Sequence, residues 1–411
     1  MSDPGSGASG IAATPSATSS ATSSATASAS SSASSERRAT WFELFCDLVF
    51  VAAVGEVTHR VGEHPTPGSV AGAAALFVPL WWVWVIYTVA ANRFDPDSTA
   101  HRIQVICGMF AVAGIAVFAG HVGRTSGADI GFVACYLAAR AVIAFMYWRG
   151  GRVDPRLGAV GRTFALGSAV SAALWLTGLV ATDGTARYTL WVLAVLWELA
   201  WPFLTNRTTS ATAHDADHLT ERFGLFTIIV IGEVVLGLTR GLANSARPEA
   251  NTAVTGAAAF AVCAGLWWTY FNASTMRPGS HARIETVTHL RHLYVYGHLP
   301  AQLGVAVAGA AVGIAVGGTD RHMGTATAWC VLGGVALYFA STALIRAAFT
   351  GIGERAVIYR LAFAAAIPAL MPLAPVLPVW GLLGALALVI AACVLAEGPA
   401  HRRRAALAAG G

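Results

Sequence analysis

The chain has 411 residues, of which 56% are apolar and 11% charged, against about 25% charge in an ordinary soluble domain. So little charge cannot cover a soluble protein of this length, and lipid must be the solvent for most of it. The net charge of +5 comes entirely from arginine, with no lysine. Those arginines are scattered between apolar runs, which excludes a basic nucleic-acid module and marks them as orientation signals.

Residues 1–40 are almost wholly Ser, Ala, Thr and Gly before Glu36. They lack the apolar core of a signal peptide and any periodicity, which predicts a disordered cytoplasmic tail. From Trp41 onward, apolar stretches of about 20 residues, the length that crosses a bilayer core, follow one another. The first six predicted spans are residues 41–61, 70–91, 103–122, 130–148, 160–181 and 188–204. Glu43, Asp47 and Glu56 fall in the first, Arg140 in the fourth and Glu198 in the sixth.

A polar segment containing His214, Asp217, His218 and Glu221 leads into the second set. Its spans are residues 223–242, 253–271, 293–316, 326–345, 354–373 and 377–396, with Glu233 in the first of them. Pro368, Pro372, Pro375 and Pro378 predict a tight turn or re-entrant element between the last two. The resulting division is a tail at 1–40, halves at 41–206 and 207–397, and a basic tail at 398–411.

Arginine placement sets the orientation. Of the 26 basic residues, 19 fall in the N-terminal tail, the loops leading from even to odd spans, and the C-terminal tail. Six fall in the opposite loops, and Arg140 lies inside a span. Excess arginine marks the cytoplasmic side, so both termini are expected there. The six cysteines sit in apolar runs without a CxxC pair, and read as small apolar side chains.

The halves echo each other. The first span opens with Glu43 and reaches Gly55-Glu56; the seventh opens with Glu221 and reaches Gly232-Glu233. The following spans carry Leu80-Trp81-Trp82 and Leu266-Trp267-Trp268, trailed by Asn92 and Asn272. Six spans per half is even, so the copies would share one topology as parallel repeats. The expected fold is all-α and polytopic, with about 12 transmembrane helices as two parallel six-helix repeats.

A charge at the bilayer centre costs roughly 2.5–3.5 kcal/mol on insertion scales, so such residues normally face an interior. Glu56 and Glu233 fall at comparable depths in the two copies, the arrangement a cation or proton pathway uses; two structural glutamates are the plainer reading. Glu43 and Asp47 share a helix face and start a helix, where carboxylates also serve as caps. Arg222 or Arg102 is placed to pair with them. Arg140 and Glu198 suit a structural ion pair. His218 and Glu221, three apart, with His214 nearby, match metal spacing, although capping and loop hydration explain them more cheaply.

Several of these segments resemble one family. Glu43-Leu-Phe-Cys-Asp-Leu-Val-Phe-Val resembles the opening motif of the low temperature requirement protein A (LtrA) family, with Cys46 where phenylalanine is usual. Asn92-Arg-Phe-Asp-Pro-Asp97 is similar to the end of that family's second span, Asp95 and Asp97 matching acidic positions. The run from His218 to Glu233 resembles its central motif. Trp267-Trp-Thr-Tyr-Phe271 is similar to a following aromatic run, with Asn272 where an acid is common. The resemblance spans about residues 41 to 396 and implies a bacterial integral membrane protein without an established activity.

The expected role is transport of a small solute or ion across the cell membrane, with the lipid bilayer as partner and no nucleic acid. Glu56 and Glu233 would carry charge through the interior. Glu43, Asp47, Asp95, Asp97, His218 and Glu221 would shape the cytoplasmic mouth. The alternatives are a membrane-embedded enzyme using a divalent metal at His214, His218 and Glu221, and a scaffold or sensor without catalysis. No other cofactor is expected.

Overall fold

The structure is a computed structural model that describes residues 40–94, 98–181, 184–205, 216–245, 249–274, 287–318 and 320–409. The Ser/Ala-rich tail, apart from Thr40, lies outside the described residues, as do Asp95, Asp97 and His214. The described chain forms twelve α-helices. The first six are α1 (Trp41–Glu63), α2 (Pro67–Ala91), α3 (Thr99–Ala119), α4 (Ser126–Gly150), α5 (Pro155–Ala181) and α6 (Thr185–Leu204). The second six are α7 (Ala216–Ala243), α8 (Glu249–Ser274), α9 (Thr288–Gly317), α10 (Thr325–Thr350), α11 (Arg355–Ala366) and α12 (Val379–Ala409).

Local sequence explains several boundaries. Thr40 caps α1 and Thr66 caps α2, each in a reciprocal capping box, with Glu43 and Ser69 respectively. After α11 the chain tightens into a 3-10 turn, Ile367–Leu373, which contains Pro368 and Pro372. Proline supplies no N–H to an α-helical ladder, so the eleventh span ends tightened, and the turn at 374–378 with Pro375 and Pro378 leads to α12. The helix α12 runs past the expected start of a C-terminal tail at residue 398, through an Ala/Arg-rich run of high helix propensity.

Ten stretches are long and apolar enough to cross a membrane: α2 to α5, α7 to α10, α11 with its 3-10 extension, and α12. The chain is a multi-pass membrane protein. The other two helices have the length, but α1 (23 residues) carries five charged side chains and α6 (20 residues) is interspersed with polar and aromatic ones. Both pack inside the same bundle.

In the first half α1 packs on α2 and α3, α3 on α4, α4 on α5, and α5 on α6. In the second, α7 packs on α8 and α9, α9 on α10, α10 on α11, and α11 on α12. The halves meet where α1 lies against α7 and α9, and where α2 lies against α9 and α7. Two approaches are especially tight, α9 on α10 at Gly304 and Gly334, and α7 on α9. A Cβ added at Gly237 would sit 2.4 Å from the Gly309 carbonyl oxygen, and one at Gly241 would sit 2.6 Å from that of Gly313. Small residues four apart on both helices let the two backbones touch.

Candidate functional site

The helix α7 is the spine of the seam between the halves. At about 100° per residue, His218, Arg222, Glu233 and Arg240 fall within roughly 60° of one another on one face. That face meets α1, where Glu43, Asp47 and Thr58 share a face by the same count.

At one end of the bundle the starts of α1 and α7 and the end of α2 come together in a buried polar cluster. Arg222 places Nη1 3.2 Å from Glu43 Oε1 and Nη2 2.7 Å from Asp47 Oδ1. The Trp84 indole donates to the same Asp47 oxygen at 2.8 Å. His218 faces oxygen on both sides, with Nδ1 2.7 Å from Asn92 Oδ1 and Nε2 3.4 Å from Glu43 Oε2. Glu43 also accepts from the Thr40 backbone N–H, so it caps α1 and joins the cluster at once. Asp47 Oδ2 is buried without a hydrogen-bond partner among the described residues. A carboxylate oxygen in that condition wants a cation, a proton or a water.

The middle of the seam is aromatic. Trp84 stacks on Phe226 at 4.0 Å between ring centroids and meets Phe223 edge-on at 4.8 Å. Beside this plug one polar thread crosses the halves: Trp81 donates to Gln302 at 2.6 Å, and Gln302 donates to Thr227 at 2.9 Å. Trp81 and Gln302 each follow a proline by two residues, Pro79 inside α2 and Pro300 inside α9. Each proline removes one rung of its helix's ladder where the helices cross.

At the other end lies a cavity of about 400 Å³ lined by α1, α7 and α9. Its polar lining includes Thr58, His59, Glu233, Arg240 and Asn244. The Glu233 carboxylate lies over Gly55; a Cβ there would be 3.0 Å from Glu233 Oε2. From Arg222 to Glu233 is eleven residues, about 16 Å along α7.

The sequence-predicted residues separate into groups. Glu43, Asp47 and His218 are gathered into the cluster with Arg222. Glu233 is buried at the cavity, whereas Glu56 is exposed and does not line it. Glu221 is exposed on α7. Among the described residues no group of three His, Cys, Asp or Glu side chains is placed to hold a metal. Arg140 Nη1 sits 2.9 Å from Glu198 Oε2, and Glu198 also accepts from Tyr136 and Ser171.

Other polar groups were not singled out from sequence. Gln302 and Thr227 carry no charge and so give no signal in an apolar run, while Asn92 stands out only as a polar residue trailing the second span and Trp84 only as one of several aromatics. Arg360, counted among the cytoplasmic loops, is fully buried in α11 and grips Glu397 of α12 at 2.6 and 3.0 Å. Its signal was available, because Arg360 falls six residues inside the predicted eleventh span.

The family model for the bacterial low temperature requirement A protein matches residues 38–395. An uncharacterized protein of Rhizobium meliloti (strain 1021) is 26% identical over 374 residues, covering 87% of this chain and 88% of that protein.

Proposed function

The chain belongs to the bacterial low temperature requirement A (LtrA) family, and from that premise we propose that it moves a proton or small cation across the cell membrane along the α1–α7 seam. One observation carries the reading: a single face of α7 holds a buried charge cluster at one end and a carboxylate-lined cavity at the other, with an aromatic plug between. Ionisable groups inside a membrane bundle mark ion pathways and relays more often than packing, and an apolar constriction between wet ends is a gate. Two proline-interrupted helices crossing at the constriction support it further, since broken helices line the sites of many transporters.

The cluster is suited to respond to a proton. Glu43, Asp47 and Arg222 sum to one negative charge, which an arriving cation would cancel. Asp47 Oδ2, without a partner, is the place where a passing cation would dwell. Glu233 is the acceptor beyond the plug. In this reading Glu56 is peripheral, because its helix turns it away from the seam.

We read the fold as twelve crossings in two parallel repeats, ten of them by stretches long and apolar enough to cross. Both halves repeat one packing order: first helix on second and third, third on fourth, fourth on fifth, fifth on sixth. Arginine asymmetry puts the cluster end and both termini in the cytoplasm.

The test is flux in proteoliposomes, read for protons with an entrapped pH dye and for sodium with a radioactive tracer. Wild type should move one of them, Glu233→Gln should fall to the protein-free baseline, and Glu56→Gln should keep most of the rate. Wild-type vesicles that move neither, or a Glu233→Gln variant as fast as wild type, would overturn the proposal.

A further inference from the structure

The cavity where α1, α7 and α9 end is far larger than a proton or a bare metal cation requires. It measures about 400 Å³, whereas one water needs only about 10–15 Å³ of such space and organic ligands fill cavities of roughly 300–1,000 Å³. Much of its wall has no side chain, being formed by Gly55 and Gly62 of α1, Gly237 and Gly241 of α7, and Gly313 and Gly317 of α9. The apolar side chains of the lining are Ala310 and Ile314. That is little for a lipid tail to lie against, and it suits a compact polar solute.

Two opposite charges meet this space from one face of α7. Glu233 is about nine-tenths buried and Arg240 is exposed at the rim. Seven residues separate them, which is about 20° around the helix and about 10 Å along it. Helical side chains lean toward the N-terminus of their helix, so Arg240 leans toward Glu233. Glu233 makes no hydrogen bond and no ion pair among the described residues, although the charge of Arg240 acts on it. Opposite the Glu233 carboxylate, Thr58 gives its hydroxyl hydrogen to the Val54 and Gly55 carbonyls at 3.1 and 3.2 Å. Its oxygen is left as an acceptor. The floor of the cavity thus offers acceptors to a donor-rich positive group. Its rim offers a guanidinium, whose fork matches a carboxylate.

We propose that this cavity binds a small zwitterion of the α-amino-acid class, its ammonium on Glu233 and the Thr58 hydroxyl and its carboxylate on Arg240. A bare cation engages Glu233 and finds nothing in Arg240; a zwitterion engages both. Arg240 also lies in the last turn of α7, where a cation complements the helix dipole. That role needs no ligand, and single-charge probes separate it from a carboxylate clamp. Binding requires no flux, so the proposal goes beyond transport and stands or falls apart from it.

Titration calorimetry of the purified full chain in detergent tests it, with glycine, L-alanine, L-serine and L-glutamine as probes. At least one should bind one-to-one, and ethylamine and propionate, which carry one charge each, should bind at least about tenfold more weakly. Glu233→Gln and Arg240→Gln should each weaken binding about tenfold or more, the scale of one charge-assisted hydrogen bond. Gly62→Trp keeps both charges and should lose the ligand by filling the space, since nothing lies within 4 Å of a Cβ added there. Short-chain phosphatidylethanolamine, whose headgroup carries the same two charges, should not compete. No heat from any of the four amino acids, equal affinity for ethylamine, undiminished binding in any of the three variants, or competition by the lipid would each overturn the proposal.

Discussion

At the scale of single residues, Arg222 is the most demanding side chain in the molecule. It is buried, and two acids of another helix depend on it. Removing one partner of a buried ion pair leaves an uncompensated charge, at a cost of about 3–5 kcal/mol. Arg222→Leu leaves both Glu43 and Asp47 in that state. Its melting temperature in detergent should fall steeply, whereas Asp47→Leu/Arg222→Leu should recover much of the loss because one buried charge disappears with the other. A double variant no more stable than Arg222→Leu would show that the pair is not coupled. His218 adds to the same group without appearing in this experiment, since Glu43 remains to hold it.

Helix phase decides which acids of the two halves point the same way. The motif Gly-Glu recurs at Gly55-Glu56 and Gly232-Glu233, and comparable depth suggested a symmetric pair. Depth alone is insufficient. Glu56 follows Asp47 by nine residues, about 180° around the helix, while Glu233 follows Arg222 by eleven, about 20°. One therefore points away from the seam and the other into it. The Trp pairs divide the same way: Trp81 and Trp82 are buried at the join of the halves, while Trp267 and Trp268 are exposed on the outside. Helix number, approximate limits and the medium were legible because apolar length is a local property. Facing was not, because in a chain of nearly uniform apolarity no polar stripe marks the outside.

The α7–α9 contact shows the same division between what composition reveals and what it withholds. Forty-three glycines announce close helix packing, but not which helices. The structure puts Gly237 against Gly309 and Gly241 against Gly313, and Gly304 of α9 against Gly334 of α10. A methyl at Gly237 meets backbone, which cannot step aside, so Gly237→Ala must push α7 off α9, at about 1–3 kcal/mol for such overpacking. Gly232 lies five residues earlier on the same helix with nothing within 4 Å of an added Cβ. Gly232→Ala should therefore melt with wild type in detergent while Gly237→Ala melts well below it. Equal melting of the two variants would mean that the close approach contributes nothing to stability.

At the scale of the whole molecule, each half carries a buried ion pair of its own, and the seam between them is held by one buried charge cluster and by shape. Arg140 with Glu198 ties α4 to α6 in the first half, and Arg360 with Glu397 ties α11 to α12 in the second. Across the seam the described ion pairs converge on the start of α7, through Arg222 and His218. Beside them stand the stacking of Trp84 on Phe226, the thread from Trp81 to Gln302, and the Tyr296 hydroxyl of α9 donating to the Leu199 carbonyl of α6. Two halves that are each internally locked should not need a covalent connection to find one another. Cutting the chain between α6 and α7 and co-expressing the two pieces, only one of them tagged, should recover both from detergent extracts of the membrane. Introducing Arg222→Leu into the second piece should reduce that recovery sharply, while Arg360→Leu should lower the amount of the second piece itself. Failure of the intact pieces to co-purify, with both present in the membrane, would mean that the connection between α6 and α7 holds the halves together and that the seam is a passive contact. Recovery that Arg222→Leu does not change would instead move the adhesion to the aromatic plug, which would then resist opening and weaken its case as a gate.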